Sequence, residues 1–226
     1  MKIALLGQGK TGSYVLEVAR DKAYEIQGFS RENPPKLEDL QNSDVVISFL
    51  PAAGFESYMP LLLEAKTPVV TGTTGIELSA EFSQKLSSNK LHWLHAHNFA
   101  LGMNLIHQMI NQLKSGKNLF SDVNVHIHEV HHTKKIDAPS GTALSWKEWI
   151  GGEPEVTSKR TGDVVGDHQL VFETSSERIT IRHEALNRRI FAEGAVWAAE
   201  TLLKNKEKLQ PKLYTLNQLT EWATKG

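Results

Sequence analysis

The stretch Glu129–Ala143, EVHHTKKIDAPSGTA, gathers residue types that handle protons and anions within a short length of chain. An imidazole titrates near neutrality, so His131 and His132 are candidates to give or accept a proton. Lys135 adds an ammonium, and a cationic cluster of this kind suits an anionic substrate. Asp137-Ala138-Pro139-Ser140-Gly141-Thr142-Ala143 then reads as the opening of a helix. Proline is tolerated in a first helical turn, and Ser140 and Thr142 carry capping hydroxyls. Free N–H groups of Gly141 and Thr142 at such a start can hold a carboxylate. A solvated charged loop leading into a capped helix uses the same residue types, and the residues alone leave both readings open.

His126 and His128 precede this cluster, and in a strand they share one face, where they could ligate a metal together. No third ligand stands out, and the chain has no cysteine, which also excludes disulfides and thiolate nucleophiles. The expectation is therefore two sheet histidines and no metal site.

A second constellation lies at the start of the chain. Gly7-Gln8-Gly9-Lys10-Thr11-Gly12 forms G-x-G-x-x-G directly after the apolar run Lys2–Leu6. That is the setting of a dinucleotide-binding turn, in which the glycines allow a tight bend, approach to a pyrophosphate and close helix packing. Lys10 can add a cationic contact. The end of the second strand reads the ribose in such folds, and here it is Ser30-Arg31. Ser30 does not repel a 2′-phosphate and Arg31 can pair with one, so NADPH is expected to be tolerated or preferred, with NADH as the alternative because Glu32 is adjacent. Gly72-Thr73-Thr74-Gly75 and Ala96-His97-Asn98-Phe99 follow two further strand patterns, which places both at the carboxyl edge of a parallel sheet.

The elements that must position these groups follow from periodicity. Strands are expected at Lys2–Leu6, Tyr24–Phe29, Asp44–Leu50, Thr67–Thr71 and Leu91–His95, separated by helices at Thr11–Arg20, Phe55–Ala65 and Ser79–Ser88. Strands alternating with helices imply βαβ units. Beyond residue 100 the pattern changes. Helices are expected at Gly102–Leu113, Ser140–Ile150 and Ala192–Leu203, and Val123–Val130 alternates with period two. Gly151–Asp167 reads as a loop, and Gln169–Thr174 with Arg178–Ala185 as a hairpin turning at Ser175–Glu177. The fold class expected is α/β: an N-terminal Rossmann-like dinucleotide-binding domain over 1–100, completed by 200–226, and a C-terminal α+β domain over 101–199 with a mixed or antiparallel sheet. The 226 residues suffice for two small domains, and 25 basic against 26 acidic residues leave a net charge of −1, without the positive field of a nucleic-acid binder. The apolar run at the N-terminus is too short for a signal peptide, and no run reaches the length of a membrane span, so a cytoplasmic protein is expected.

EVHHTKKIDAPSGTA closely resembles the signature of the dihydrodipicolinate reductase family, now usually called 4-hydroxy-tetrahydrodipicolinate reductases. GTTG at Gly72–Gly75, HNFALGMNL at His97–Leu105, RTGDVVGDH at Arg160–His168 and the stretch His183–Ala195 resemble further family segments in the same order. By resemblance, His131 is the proton donor and acceptor, Lys135 a second proton donor, and His132 a substrate contact. Gly141 and Thr142 are implied to hold a substrate carboxylate, Ser140 beside them is a further expected substrate contact, and Arg188 matches an arginine of the C-terminal half. Gly7 to Gly12, Gly72 to Thr74 and Ala96 to Phe99 match cofactor segments. The chain departs from the pattern at Lys10-Thr11, where Arg-Met is usual in a loop one residue longer. It departs again at Ser30-Arg31, where Glu-Arg is usual, and at His97, where proline is common.

The resemblance implies hydride transfer from NADPH or NADH to a cyclic imine dicarboxylate in lysine and diaminopimelate biosynthesis, by a homotetramer joined through its C-terminal sheets. The alternatives are another two-domain oxidoreductase of amino-acid dehydrogenase type, against which the DAPSGTA nest beside His-His argues, and a nucleotide-sensing protein without turnover.

Overall fold

The computed structural model describes residues 1–225. In chain order its elements are β1 (Lys2–Leu6), α1 (Gly12–Asp21), β2 (Glu25–Phe29), α2 (Leu37–Gln41), β3 (Val45–Ser48), α3 (Ala52–Ala65), β4 (Val69–Thr71), α4 (Ala80–Ser88), β5 (Trp93–His95), α5 (Gly102–Gly116), β6 (Asn124–His131), α6 (Gly141–Ile150), β7 (Glu155–Arg160), β8 (Gly166–Glu173), β9 (Arg178–Ala185), α7 (Arg189–Lys204), β10 (Leu213–Thr215) and α8 (Leu216–Lys225). They form two compact units, one of Met1–Ala100 with Arg188–Gly226 and one of Leu101–Asn187.

The first unit is built on a six-stranded parallel sheet in the order β10-β5-β4-β3-β1-β2. Ile3, Ala4 and Leu5 of β1 and Val45, Val46 and Ile47 of β3 are fully buried. Burial on both faces explains why these strands read as unbroken apolar runs rather than alternating ones. Val15, Val18 and Ala19 of α1 are also buried. The helix at Ser79 is capped as its sequence suggests: the Ser79 hydroxyl accepts the Phe82 N–H at 3.2 Å. Chain direction across the sheet reverses between β1 and β3, where open α/β sheets bind ligands beyond the strand ends.

The second unit has a four-stranded mixed sheet, β7-β6-β8-β9, with β7 parallel to β6 and the other pairs antiparallel. Helix α6 packs on β6 and β8, and α5 packs on α6 and β9. Ile127, Trp146, Ile150, Leu170 and Phe172 form the buried side. Among the described residues no helix is long and apolar enough to cross a membrane.

Several expectations are corrected. Gly151–Asp167 is not a loop, because β7 occupies Glu155–Arg160 and β8 begins at Gly166. β7 is an edge strand of sequence EVTSKR, mostly exposed, and a charged edge strand carries little apolar signal. The short helix α2 has no counterpart among the expected elements. Helix α3 starts at Ala52 rather than Phe55, with Pro51 at its N-cap with φ −60°. The chain returns to the first unit at Arg188 rather than near residue 200. The reason is helix α7, whose small buried residues Ala192, Gly194, Ala195, Ala198 and Ala199 let it press on α1, β3 and β4. A Cβ at Gly194 would stand 1.7 Å from the Phe99 carbonyl oxygen, so only glycine fits there.

Candidate active site

In the first unit the glycine turn follows β1 and opens α1. Gly7 has φ +90°, and a Cβ on Gly12 would lie 2.0 Å from the Gly7 carbonyl oxygen. The loop therefore folds back on itself in a way that a side chain at either position would oppose. A Cβ on Gly9 would meet nothing within 4 Å, so the outer side of the turn is open. Intrahelical bonding begins with the Ser13 N–H on the Gly9 carbonyl at 2.9 Å, which leaves the N–H groups ahead of it for an anion. Gln8 lies over Gly28 of β2, while Lys10 is exposed and Thr11 half-buried. These features fit the pyrophosphate of a dinucleotide.

A cavity of about 220 Å³ opens at the carboxyl ends of β1, β2 and β3, lined by Gly7, Phe29, Ser30, Arg31, Leu50 and Tyr58 among others. Ser30 and Arg31 are thus where sequence reasoning put them. Leu50 and Tyr58, which also line it, were not singled out; their place after β3 and on α3 is the signal that could have found them. The Ser30 hydroxyl donates to the Glu32 carboxylate at 2.7 Å, and this bond draws the Glu32 carboxyl below its ordinary value.

The two other loops reach the same edge of the sheet. Gly72, Thr73 and Thr74 follow β4, with the Thr73 N–H donating to Thr71 Oγ1 at 3.2 Å and Gly72 close against the Phe49 ring. Ala96, His97, Asn98 and Phe99 follow β5. His95 Nε2 pairs with the Thr73 carbonyl at 2.8 Å, and the His95 and His97 rings meet at 4.8 Å. Asn98 Oδ1 accepts the Ala100 N–H at 2.8 Å, and Phe99 is buried edge-on to Phe49. Each of the cofactor residues expected from sequence therefore stands on one edge of one sheet.

The second unit holds the other constellation. Glu129 and His131 lie two apart on β6 and share a face. Glu129 is wholly buried, and His131 nearly so. The His131 Nδ1 and Glu129 Oε2 meet in a hydrogen bond. Glu129 Oε1 accepts from Arg160 Nη2 at 2.8 Å and from the Ser140 N–H at 3.3 Å. Register explains the meeting: Arg160 of β7 lies beside His131, and His168 of β8 lies beside Glu129. The Ser140 hydroxyl caps α6 by accepting the Ala143 N–H at 3.2 Å and pairs with His168 Nε2 at 3.1 Å. The His131 and His168 rings are 5.0 Å apart.

The electrostatics of this cluster follow from burial and pairing. Burial works to raise the Glu129 carboxyl, but hydrogen bonds from Arg160, Ser158 and His131 outweigh it and hold the group at about 2. Burial pushes the His131 imidazole below its ordinary value, against the support of Glu129. Burial, with His131 nearby, pushes His168 down to about 4.

Lys135 Nζ pairs with Asp137 Oδ1 at 2.8 Å, and its N–H donates to the His132 carbonyl at 3.1 Å. Arg160 Nη2 also donates to the Asp137 carbonyl, which ties the loop to β7. His132 is half-buried, and Gly141 and Thr142 form the accessible first turn of α6. The structure thus brings His131, His132, Lys135, Ser140, Gly141 and Thr142 into one region of one unit. Arg188 instead stands at the head of α7, half-buried, in the first unit.

Glu129, Arg160 and His168 were missed as site residues. Glu129 was readable, since period two puts it on the face of His131. His126 and His128 turn to the other face, where His126 pairs with Glu155 at 3.4 Å and His128 with Thr157 Oγ1 at 2.7 Å. Glu129, His131 and His168 bring ligand atoms within 4.8 Å of one another, a spacing that could admit a metal ion. The Arg160 guanidinium on Glu129 opposes a cation there.

The family model for the N-terminus of dihydrodipicolinate reductase matches residues 1–99, and that for its C-terminus matches residues 102–219. The chain belongs to the dihydrodipicolinate reductase family. Its activity is the family's, a reduction driven by NAD(P)H within diaminopimelate and lysine biosynthesis. The 4-hydroxy-tetrahydrodipicolinate reductase of Acidiphilium cryptum is 38% identical over 225 residues, covering 88% of this chain and 90% of that one. The enzyme of the same name from Christiangramia forsetii is 33% identical over 222 residues, covering 89% and 92%. A solved dipicolinate-bound dihydrodipicolinate reductase from Paenisporosarcina sp. TG-14 shares the fold with a TM-score of 0.75, at 21% identity over 96% of this chain and 98% of that one.

Proposed function

We propose that this reductase acts on 4-hydroxy-tetrahydrodipicolinate, with His131 delivering the proton and Lys135 acting beside it as a second donor. The observation that carries this reading is the buried Glu129–His131 pair beside the capped start of α6. The 4-hydroxyl leaves as water to give a conjugated cyclic imine, and a bound dinucleotide would supply a hydride to its ring carbon C4. Electron density then moves toward the ring nitrogen, and a proton completes the reduction. His131 has its Nδ1 engaged by Glu129, so Nε2 is the nitrogen at which the ring takes up and releases a proton. The Lys135 ammonium stabilises developing negative charge and holds a carboxylate once it leaves Asp137. The Gly141 and Thr142 N–H groups, steadied by Ser140, take the other carboxylate. His132 completes the substrate contacts within this unit.

The first unit serves as the dinucleotide-binding domain, with the turn Gly7–Gly12 on the pyrophosphate and Gly72–Thr74 and Ala96–Phe99 on the nicotinamide side. Arg31 admits the 2′-phosphate of NADPH, while the Ser30–Glu32 pair favours the 2′-hydroxyl of NADH, so both cofactors are used. The second unit binds substrate and assembles a cytoplasmic homotetramer. The β6–β8 face bearing His126, His128, Gln169 and Val171 lies opposite α6 and supports such an assembly; sedimentation at assay concentration checks it.

The test is kinetic. The absorbance of reduced cofactor is followed with freshly prepared substrate. His131→Gln and Lys135→Ala are each expected to lose at least about 10²-fold in turnover while NADPH still binds. Near-wild-type turnover in either variant refutes its assignment.

A further inference from the structure

We infer that Glu129 is the positioning residue for His131: its buried carboxylate accepts a hydrogen bond from Nδ1–H, fixes the neutral ring as the Nδ1–H tautomer and leaves Nε2 as the atom at which the ring takes up and releases the proton. The inference rests on the reading of His131 as proton donor, but its structural core does not. Glu129 Oε2 meets His131 Nδ1, and Oε1 is held by Arg160 Nη2 at 2.8 Å and by the Ser140 N–H at 3.3 Å. Both oxygens are engaged by three different elements, β6, β7 and the start of α6, so the carboxylate cannot turn away. An ionised carboxylate only accepts hydrogen bonds. A ring with its proton on Nε2 would aim a lone pair at that oxygen in a site closed to water, an arrangement the pocket cannot satisfy.

His131 Nε2 faces Gly166, where a side chain would intrude: a Cβ there would stand 3.0 Å from Nε2, so glycine keeps this side of the ring open. The charged groups facing the ring are Glu129 on β6, Arg160 on β7, Lys135 on the following loop and His168 on β8. Lys135 and Arg160 oppose a protonated ring, His168 is kept neutral by burial, and only Glu129 favours the protonated form. Arg160 offsets the cost of burying Glu129, which is why a full negative charge persists there.

The neutral tautomer is read directly from ¹⁵N shifts of histidine-labelled full-length protein, with His131 assigned by the signal missing from His131→Gln. The expected spectrum has a protonated Nδ1 and a bare Nε2; an Nε2–H tautomer overturns the inference. In Glu129→Gln the basic limb of the kcat/KM profile is expected to move at least one pH unit lower, because the ring loses its one anionic neighbour. Turnover is expected to fall about 10²-fold while NADPH affinity stays within twofold. A profile that coincides with wild type overturns the inference. If Glu129→Gln does not fold, the wild-type spectrum decides alone. If the spectrum is as expected but His131→Gln turns over normally, the proton-donor reading fails and the positioning of the ring stands.

Discussion

Removing the imidazole at position 168 tests the cluster through stability rather than turnover. His168 is buried, with Nε2 on the Ser140 hydroxyl. That hydroxyl also accepts the Ala143 N–H, so its own proton points at His168 and requires a neutral ring. The folded imidazole titrates at about 4, against 6.5 for an ordinary one. Between these values the unfolded chain binds a proton that the folded chain refuses, so stability falls as pH falls. A difference of about 2.5 units amounts to about 3 kcal/mol in full, and about 2 kcal/mol of it is lost between pH 7 and pH 4.5. Glu129 has the depressed carboxyl of the pair, and its contribution drains mainly below pH 4.5, outside this window. The measurement is urea unfolding of wild type and His168→Gln at both pH values. Glutamine can still accept from Ser140 but does not titrate. The wild type should lose about 2 kcal/mol more than the variant on acidification. Parallel losses would show that His168 is not held neutral, and the account of Ser140 as its donor would fall with it.

Ser140→Ala removes the cap of α6 and the partner of His168, and should lower unfolding free energy by about 1–2 kcal/mol in the same urea assay. Gly12→Ala places a methyl group 2.0 Å from the Gly7 carbonyl oxygen, so fluorescence titration should show cofactor affinity reduced by at least tenfold while turnover of residual bound enzyme is less affected. Glu32→Gln removes the anion on Ser30, and the ratio of kcat/KM for NADPH over NADH should rise; an unchanged ratio removes Glu32 from cofactor choice.

How much of this was legible in sequence depends on whether the signal was local. The turn Gly7–Gly12 needed only its spacing and the apolar run before it. Ser79 and Ser140 could be read as caps because a cap is decided within a few residues. The edge strand β7 could not be read, since its exposed, charged sequence has the composition of a loop and its pairing partner is β6. Arg160 and His168 were hidden for the same reason. They join Glu129 only through the register of β6 with β7 and β8, which no window along the chain contains. The small-residue face of α7 was visible, but what it presses on was not.

Sheet order sets a timetable for synthesis. β10, at residues 213–215, closes the edge of the sheet beside β5, at residues 93–95. At about 5–20 residues per second, roughly ten seconds pass on the ribosome between the two. Throughout that interval β5 is an open edge bearing Trp93 and Leu94, and the seat of α7 is bare. An unpaired apolar edge is a template for wrong partners. The second unit has its whole sequence available first, so the nascent chain carries a complete unit attached to an unfinished sheet. Release of the chain before residue 213 should therefore yield protein that aggregates where the full chain does not, as sedimentation of the two products would show.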